Sequence, residues 1–208
     1  TGADVLSKFI VSGFQSLNAM SKNPCKPFDK NRDGINLGEC AATVVLTTEK
    51  PLSKNVLVNG GASSNDANHI SGPSRTGLEL AHAVSQAMNE SKLTAGDLSF
   101  ISAHGTATLF NDEMEAKAFN HSSLAETPLH SLKGNFGHTL GAAGVLESIL
   151  TYQSLLNGVI LPSKNFETSG VSENVIVNRK TIKSDKAHAL KTASGFGGCN
   201  AALVYSIN

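Results

Sequence analysis

The sequence predicts an α/β fold, a mixed sheet covered by helices, from two observations. Short apolar runs with the composition of strands alternate with segments whose apolar residues recur at helical spacing. Polar or glycine-rich segments follow several of these runs, as loops do at the carboxyl ends of strands. With 208 residues, 40% of them hydrophobic, the chain can form one sizeable core and at most two small domains.

The first quarter of the chain predicts one helix and one strand. In ADVLSKFIVSGFQSL, residues 3–17, the apolar residues fall near one helical face. A polar loop that contains proline follows. AATVVLTT, residues 41–48, then has the β-branched composition of a strand.

The remainder alternates more regularly. Strands are predicted at residues 55–60, 98–103, 128–133 and 175–178, and helices at residues 78–88, 111–119 and 141–156. A long polar loop covers residues 64–77. The final segment, KTASGFGGCNAALVYSIN, predicts two strands joined by a glycine-rich turn.

Composition argues against several classes of partner. Lys and Arg together number 17, as do Asp and Glu, so the charge balance gives no reason to expect binding to nucleic acid or to an anionic membrane surface. No apolar run approaches membrane-spanning length, and we expect no leader of the charged-then-apolar type. The three cysteines lie far apart without the paired spacing of metal ligands, which favours a reducing, cytoplasmic location.

Three segments fall at predicted strand ends and therefore predict a site. They are HGTATLFND (104–112), KGNFGHTLG (133–141) and GFGGCN (195–200). In open α/β sheets, ligands gather where such loops converge. GFGGCN is followed by a strand-like run instead of a helix, so it does not fit a dinucleotide fingerprint, and we expect no nucleotide cofactor.

Two histidines are the first candidates for chemistry. His104 precedes Gly-Thr-Ala-Thr, and His138 lies where a glycine-rich loop enters a predicted helix. The two imidazoles are suited to general acid–base work or to donating hydrogen bonds to a developing oxyanion. The helix N-terminus and nearby Lys133 would both favour a neutral imidazole at His138. The alternative is structural: a capped loop histidine and a solvated lysine.

Two acids follow His104 on one helical face. Either Asp112 and Glu115 lie on a solvent-exposed face of the helix, or one of them pairs with Lys133 and fixes its position. Together with the two histidines they also offer ligands for zinc or iron. Because the sequence has no His-Glu-x-x-His helix and no closely spaced histidine pair, we expect no metal.

Four segments together resemble the β-ketoacyl-acyl-carrier-protein synthases, the elongating condensing enzymes of fatty-acid and polyketide synthesis. They are PFDKNRDGINLGE, HGTATLFNDEMEA, SLKGNFGHTLGAAGVLES and SGFGGCNAAL, and the resemblance extends over essentially the whole chain. It implies the thiolase-like fold, with two similar α/β halves in αβαβα layers, and a homodimer. Residues 1–50 would be the end of the N-terminal half and residues 51–208 the C-terminal half.

The resemblance also implies a catalytic set. His104, His138 and Lys133 match three of the family's four catalytic residues. The fourth, a nucleophilic cysteine, would lie upstream of residue 1, so this chain alone is predicted to be inactive. The three cysteines of the chain are interpreted as structural: Cys25, Cys40 and Cys199.

Further roles follow from the same resemblance. Phe196 matches a gating aromatic whose backbone N–H helps to bind an oxyanion. Thr106, Thr108 and Ser71 match residues that contact pantetheine, and Asp112 and Glu115 match acids that support the lysine. The implied reaction is acyl transfer followed by decarboxylative Claisen condensation with a malonyl group on an acyl carrier protein, without a cofactor. The alternative is a non-catalytic subunit like the chain-length factors that accompany some ketosynthases.

Overall fold

The computed structural model of the protein describes residues 1–49 and 56–207. Its strands and α-helices are, in chain order, β1 (Gly2–Asp4), α1 (Lys8–Ser16), β2 (Cys40–Ala42), β3 (Val56–Asn65), α2 (Leu78–Ser91), β4 (Leu98–Ser102), α3 (Leu109–His121), β5 (Leu129–His130), α4 (Lys133–Phe136), α5 (Ala143–Leu156), β6 (Val159–Ile160), β7 (Ile182–Lys183), β8 (His188–Gly195) and β9 (Cys199–Ile207).

A five-stranded mixed sheet forms the centre, in the order β3-β9-β8-β4-β5. β9 pairs antiparallel with both β3 and β8, whereas β4 is parallel to both β8 and β5. The β8–β9 pair is the hairpin predicted from the C-terminal sequence. β4 and β5 end beside each other, so the segments after them begin at the same edge of the sheet.

Helices cover both faces of the sheet. α2 and α3 pack on one face around buried residues such as Leu80, Val84 and Ile101. α5 lies on the other face, where Phe100 and Tyr205 form part of a second, smaller cluster. Neighbouring residues of β4 thus point to opposite faces, as the pleat of a strand requires. The predicted α/β class is confirmed.

The N-terminal segment lies against the loop that carries His138. β1 and β2 pair antiparallel and contact the start of α5. Further along, the N–H of His138 donates to the carbonyl of Asn36 at 2.7 Å, and the N–H of Gly38 donates to the carbonyl of His138 at 3.0 Å. A Cβ on Gly38 would lie 2.2 Å from the carbonyl oxygen of Phe136, so this close approach needs glycine.

Several predicted elements differ from the structure. The strand predicted over 41–48 is limited to β2, and Lys133 begins the short helix α4 instead of ending a strand. The strand predicted over 175–178 is reduced to a single bridge between Leu129 and Val177. The predicted division between residues 50 and 51 and the strand start at residue 55 lie outside the described residues. Among the helices of the described ranges, none combines the length and apolar character needed to cross a bilayer.

Candidate active site

The loop after β4 holds His104 through the carboxylate of Glu115. The N–H groups of His104 and Gly105 donate to the two carboxylate oxygens at 2.8 and 2.6 Å. Gly105 has φ of +44°, and a Cβ there would lie 2.4 Å from the Cβ of Ser131, so only glycine fits this turn. Thr192 Oγ1 also donates to Glu115, which ties the loop to β8.

Lys133 lies directly beneath His104. Its Nζ is 2.5 Å from the carbonyl oxygen of His104, 2.6 Å from Oε1 of Glu147 and 3.2 Å from Nδ1 of His104. An ammonium group has three donors, and these three acceptors match them. The side chains of Lys133 and Glu147 are almost fully buried, with exposures of 1% and 2%.

The prediction that Asp112 or Glu115 pairs with Lys133 is therefore wrong, because Glu147 of α5 is the ion-pair partner. Asp112 instead accepts hydrogen bonds from the N–H groups of Phe28 and Ala107 and lies 3.8 Å from Nε of Arg32. It connects the N-terminal segment to the start of α3. Burial raises the pKa of Asp112 to about 7, against the opposing effects of the Phe28 N–H and Arg32.

His104 and His138 meet as predicted. Their ring centroids are 5.1 Å apart and the ring planes are nearly perpendicular, at 81°. The N–H of Leu140 donates to Nδ1 of His138 at 3.2 Å, so that nitrogen is an acceptor. Nδ1 of His104 accepts from Lys133 in the arrangement given above. In both imidazoles the ring proton is therefore on Nε2, which is left as a donor.

Burial keeps both imidazoles neutral. It lowers the pKa of His104 well below its ordinary value, and the charge of Lys133 acts in the same direction. Burial and Lys133 lower the pKa of His138 to about 3. The helix N-terminus invoked from the sequence is not needed to explain a neutral His138. Two neutral N–H donors that line the same cavity are suited to stabilising an oxyanion.

The imidazoles open onto a cavity of about 610 Å³. Six predicted site residues line it: His104, His138, Phe196, Thr106, Thr108 and Ser71. Lys133, Asp112 and Glu115 are buried behind this lining. The structure thus brings six of the predicted site residues to one cavity, whose volume is in the range of small-molecule sites.

The hydroxyls and the aromatic residue have local contacts of their own. Thr106 and Thr108 hydroxyls are 2.9 Å apart, and Thr108 also accepts from the N–H of Asn111 as the N-cap of α3. Ser71 Oγ lies 3.2 Å from Nδ1 of His69. Phe196 is 58% exposed as a residue, and its ring stacks on that of Phe14 with centroids 5.9 Å apart.

The three cysteines lie away from the cavity lining. Cys25 is buried, where burial raises the pKa of its thiol, and its Sγ donates to the carbonyl of Lys133 at 3.2 Å. Cys40 is half-buried in β2, and Cys199 is exposed at the start of β9. Within residues 1–49 and 56–207, no group of three or more metal-ligating side chains is placed to hold a metal ion.

Two site residues were missed from the sequence, Glu147 and Lys191. Nζ of Lys191 lies 2.8 Å from Oε2 of Glu147, so the carboxylate is flanked by two buried ammonium groups. The available signal was a single acid within the apolar run of α5 and a single lysine within the apolar run of β8. A charged residue in such a run is buried only when it is paired.

Fold and site together define an α/β protein whose paired histidines lie next to a buried lysine. Comparison with known proteins agrees: the β-ketoacyl synthase C-terminal domain matches residues 55–167 and the N-terminal domain matches residues 1–51. The chain belongs to the β-ketoacyl synthase family.

Individual relatives give the same result. The chain is 32% identical to 3-oxoacyl-[acyl-carrier-protein] synthase 2 of Mycobacterium leprae, over 94% of this chain and 50% of the relative. It is also 32% identical to the ketoacyl synthase alpha subunit of the tetracenomycin polyketide synthase of Streptomyces glaucescens, over 96% and 50%. The ketosynthase ApeO of Xenorhabdus doucetiae, solved in complex with its chain length factor ApeC, superposes with a TM-score of 0.89 at 28% identity, covering 100% of this chain and 52% of that one. The chain spans about half the length of these relatives.

Proposed function

We propose that this chain is the C-terminal part of a β-ketoacyl-acyl-carrier-protein synthase that acts in fatty-acid or polyketide-type synthesis. Residues 1–50 would end the N-terminal half and residues 51–208 would form the C-terminal half, with the nucleophilic cysteine supplied upstream. The observation that carries the proposal is the pair of neutral Nε2–H donors of His104 and His138 at one cavity. We call the protein that joins both parts the complete enzyme.

In the proposed reaction the acyl group first moves from a carrier-protein thioester to the upstream cysteine. The malonyl thioester then places its carbonyl oxygen between Nε2 of His104 and Nε2 of His138. When the carboxylate leaves as CO2, its bonding electron pair forms the enolate, whose charge is on that oxygen. The two N–H groups stabilise this charge without being reorganised, because the protein already holds them in place.

The enolate carbon then attacks the acyl thioester, the cysteine thiolate leaves, and the 3-oxoacyl product remains on the carrier protein. The N–H of Phe196 contributes to the second oxyanion site, and its exposed ring gates the cavity. Thr106, Thr108 and Ser71 line the cavity and are proposed to contact the pantetheine arm. Lys133 holds Nδ1 of His104 as an acceptor and so keeps the proton on Nε2. No step requires a metal or an organic cofactor.

The proposed partners are an acyl carrier protein and a second copy of the complete enzyme, in the cytoplasm. The free state of Cys25, Cys40 and Cys199 in the structure supports a reducing compartment. The name of the mycobacterial relative supports the carrier protein. The ketosynthase ApeO was solved with a chain length factor, which keeps such a non-catalytic subunit as the second candidate. Cysteine at the upstream nucleophile position favours the enzyme, and glutamine or alanine favours the subunit.

The test is release of CO2 from malonyl-acyl-carrier protein by the complete enzyme and its variants. His104→Ala and His138→Ala should each lower the rate by about 10²–10³. His82→Ala removes an exposed histidine on α2 and should leave the rate unchanged. Wild-type rates in both site variants would contradict the proposed roles of the two histidines.

A further inference from the structure

Three charged side chains from three different elements meet beneath His104. Glu147 comes from α5, Lys133 from the start of α4 and Lys191 from β8. Nζ of Lys133 lies 2.6 Å from Oε1 of Glu147, and Nζ of Lys191 lies 2.8 Å from Oε2. Each of the three side chains is at most 3% exposed. The proposed reaction uses Lys133, but it gives no role to Lys191.

Lys191 is what holds the second carboxylate oxygen. Among the described residues, Oε2 of Glu147 has no hydrogen-bond partner that would take the place of this ion pair. The ammonium of Lys191 also bonds to the backbone carbonyl of Thr192, which anchors it to β8. Without Lys191, only Oε1 of Glu147 would remain paired, and the terminal torsion of the carboxylate would be less restricted.

Lys191 is not among the residues that line the 610 Å³ cavity; it lies instead at a second cavity of about 410 Å³. Its effect on the position of the His104 ring would pass through Glu147 to Lys133 and from Lys133 to His104. A buried charge without a partner is strongly unfavourable. Because both oxygens of Glu147 are paired, its carboxylate has a defined position from which it can hold Lys133.

We propose that Lys191 is a positioning residue for the condensation: it fixes Glu147, which in turn keeps the ammonium of Lys133 against Nδ1 of His104. This inference rests on the proposed function, because only in that reaction does the proton on Nε2 of His104 have a task.

The charge of Lys191 has a second consequence, on protonation. The ionisable groups that face the cluster are His104 and His138 from the loops, Glu115 from α3 and His130 from β5. Burial lowers the pKa of His104, and the charges of Lys133 and Lys191 lower it further. Burial raises the pKa of Glu147, but the two lysines outweigh it and the net shift is downward. Burial lowers the pKa of His130 to about 3, so it carries no charge near neutrality. Removing Lys191 therefore raises the pKa of His104.

The test uses the complete enzyme with Lys191→Met, which keeps the length and apolar stem of the side chain but removes its charge. We expect kcat for malonyl-carrier-protein decarboxylation to fall at least tenfold with KM unchanged. We also expect the acidic limb of the pH–rate profile to move up by on the order of 1 pH unit, as loss of a nearby positive charge predicts. Lys117→Met, which removes a partly exposed lysine of α3, should change neither quantity.

Lys191→Gln separates position from charge, because glutamine can still donate a hydrogen bond to Glu147. It should retain kcat within about threefold of wild type and still show the shifted acidic limb, since a hydrogen bond supplies position but no positive charge. If Lys191→Gln loses as much activity as Lys191→Met, the positioning role is overturned.

A double-mutant cycle tests the route through Glu147. In a Glu147→Gln background, Lys191→Met should change kcat by less than about twofold, because the group it acts through is already gone. Effects that multiply in the double variant would overturn the proposal, as would wild-type kcat and an unmoved acidic limb in Lys191→Met.

An NMR titration of the histidine ring signals keeps this inference separate from the proposed function. The His104 signal should titrate at higher pH in Lys191→Met than in wild type, whether or not the protein condenses anything. Absence of decarboxylation by wild type together with that shift would reject the function and retain the charge coupling. Identical His104 titrations would reject the coupling even in an active enzyme.

Discussion

Glu147→Gln is the substitution whose effect on stability the structure defines most sharply. Glutamine has almost the shape of glutamate, so packing of α5 against the sheet is kept while the negative charge is lost. The ammonium groups of Lys133 and Lys191 then remain buried without the charged carboxylate that both of them contact. Removing one partner of a buried ion pair costs about 3–5 kcal/mol, and here the partner is shared by two cations.

The measurement is unfolding by urea at pH 7, followed by circular dichroism. With a slope of roughly 2 kcal/mol per M for a chain of this size, a loss of about 4 kcal/mol moves the midpoint down by about 2 M. The matched control is Glu113→Gln, because Glu113 forms a partly exposed pair with Lys117 at 3.4 Å. That pair should contribute no more than about 1 kcal/mol, and the midpoint should move by less than about 0.5 M.

The same variant has a defined dependence on pH. Burial lowers the pKa of Lys133, whereas Glu147 raises it, so the pKa falls further when Glu147 is neutralised. The unfolded chain then binds more protons than the folded chain up to about pH 10.4, and the free energy of unfolding rises with pH. The destabilisation should therefore be smaller at pH 9 than at pH 7. Equal losses for Glu147→Gln and Glu113→Gln, or a loss that grows between pH 7 and 9, would refute this account.

Three further predictions concern the same region. Gly105→Ala should lower the free energy of unfolding by about 2–4 kcal/mol in urea titrations, because φ is +44° and the new Cβ would lie 2.4 Å from Ser131. An unchanged midpoint would mean that the loop has room to relax. His130→Phe should reduce the pH dependence of stability. Burial holds the pKa of His130 at about 3, so the wild type loses stability as the pH falls from about 6.5 towards 3. This contribution is up to about 1.4 kcal/mol per pH unit and should vanish in the variant. The measurement is the free energy of unfolding at pH 4, 5, 6 and 7. Identical slopes for the two proteins would contradict a neutral His130. Thr108→Ala removes the N-cap of α3 and should cost about 1 kcal/mol in thermal or urea unfolding, whereas Thr108→Ser should cost less than half of that.

The sequence predicted those elements whose pattern is local. Leu80, Val84 and Ala87 recur at helical spacing and α2 is found there, and the glycines at 197 and 198 turn the chain between β8 and β9. β1 and β2 have three residues each and depend on contacts with the distant helix α5, so no local pattern could reveal β1 or limit β2.

The candidate site divides in the same way. His104 and His138 could be predicted from the sequence because each is flanked by glycines and hydroxyl residues, which do not form an apolar core pattern. Glu147 could not be found in this way, because its partners Lys133 and Lys191 lie far from it in the sequence. Only the packing of α5 on the sheet brings the three side chains together. Asp112 and Glu115 were given the wrong partner, since their spacing placed them on one helical face but could not show that backbone N–H groups would already occupy their oxygens.

The backbone hydrogen bonds of Asn36 and Gly38 with His138 limit how segments of such proteins can be exchanged. The imidazole of His138 is aligned by a strand-like segment from the first fifth of the chain. A hybrid protein joined anywhere between that segment and the His138 loop would therefore take the two from different parents, and the hydrogen bonds between them could be misaligned. Exchange of substrate preference between family members by swapping parts should therefore succeed more often when residues 34–38 and 133–141 travel together.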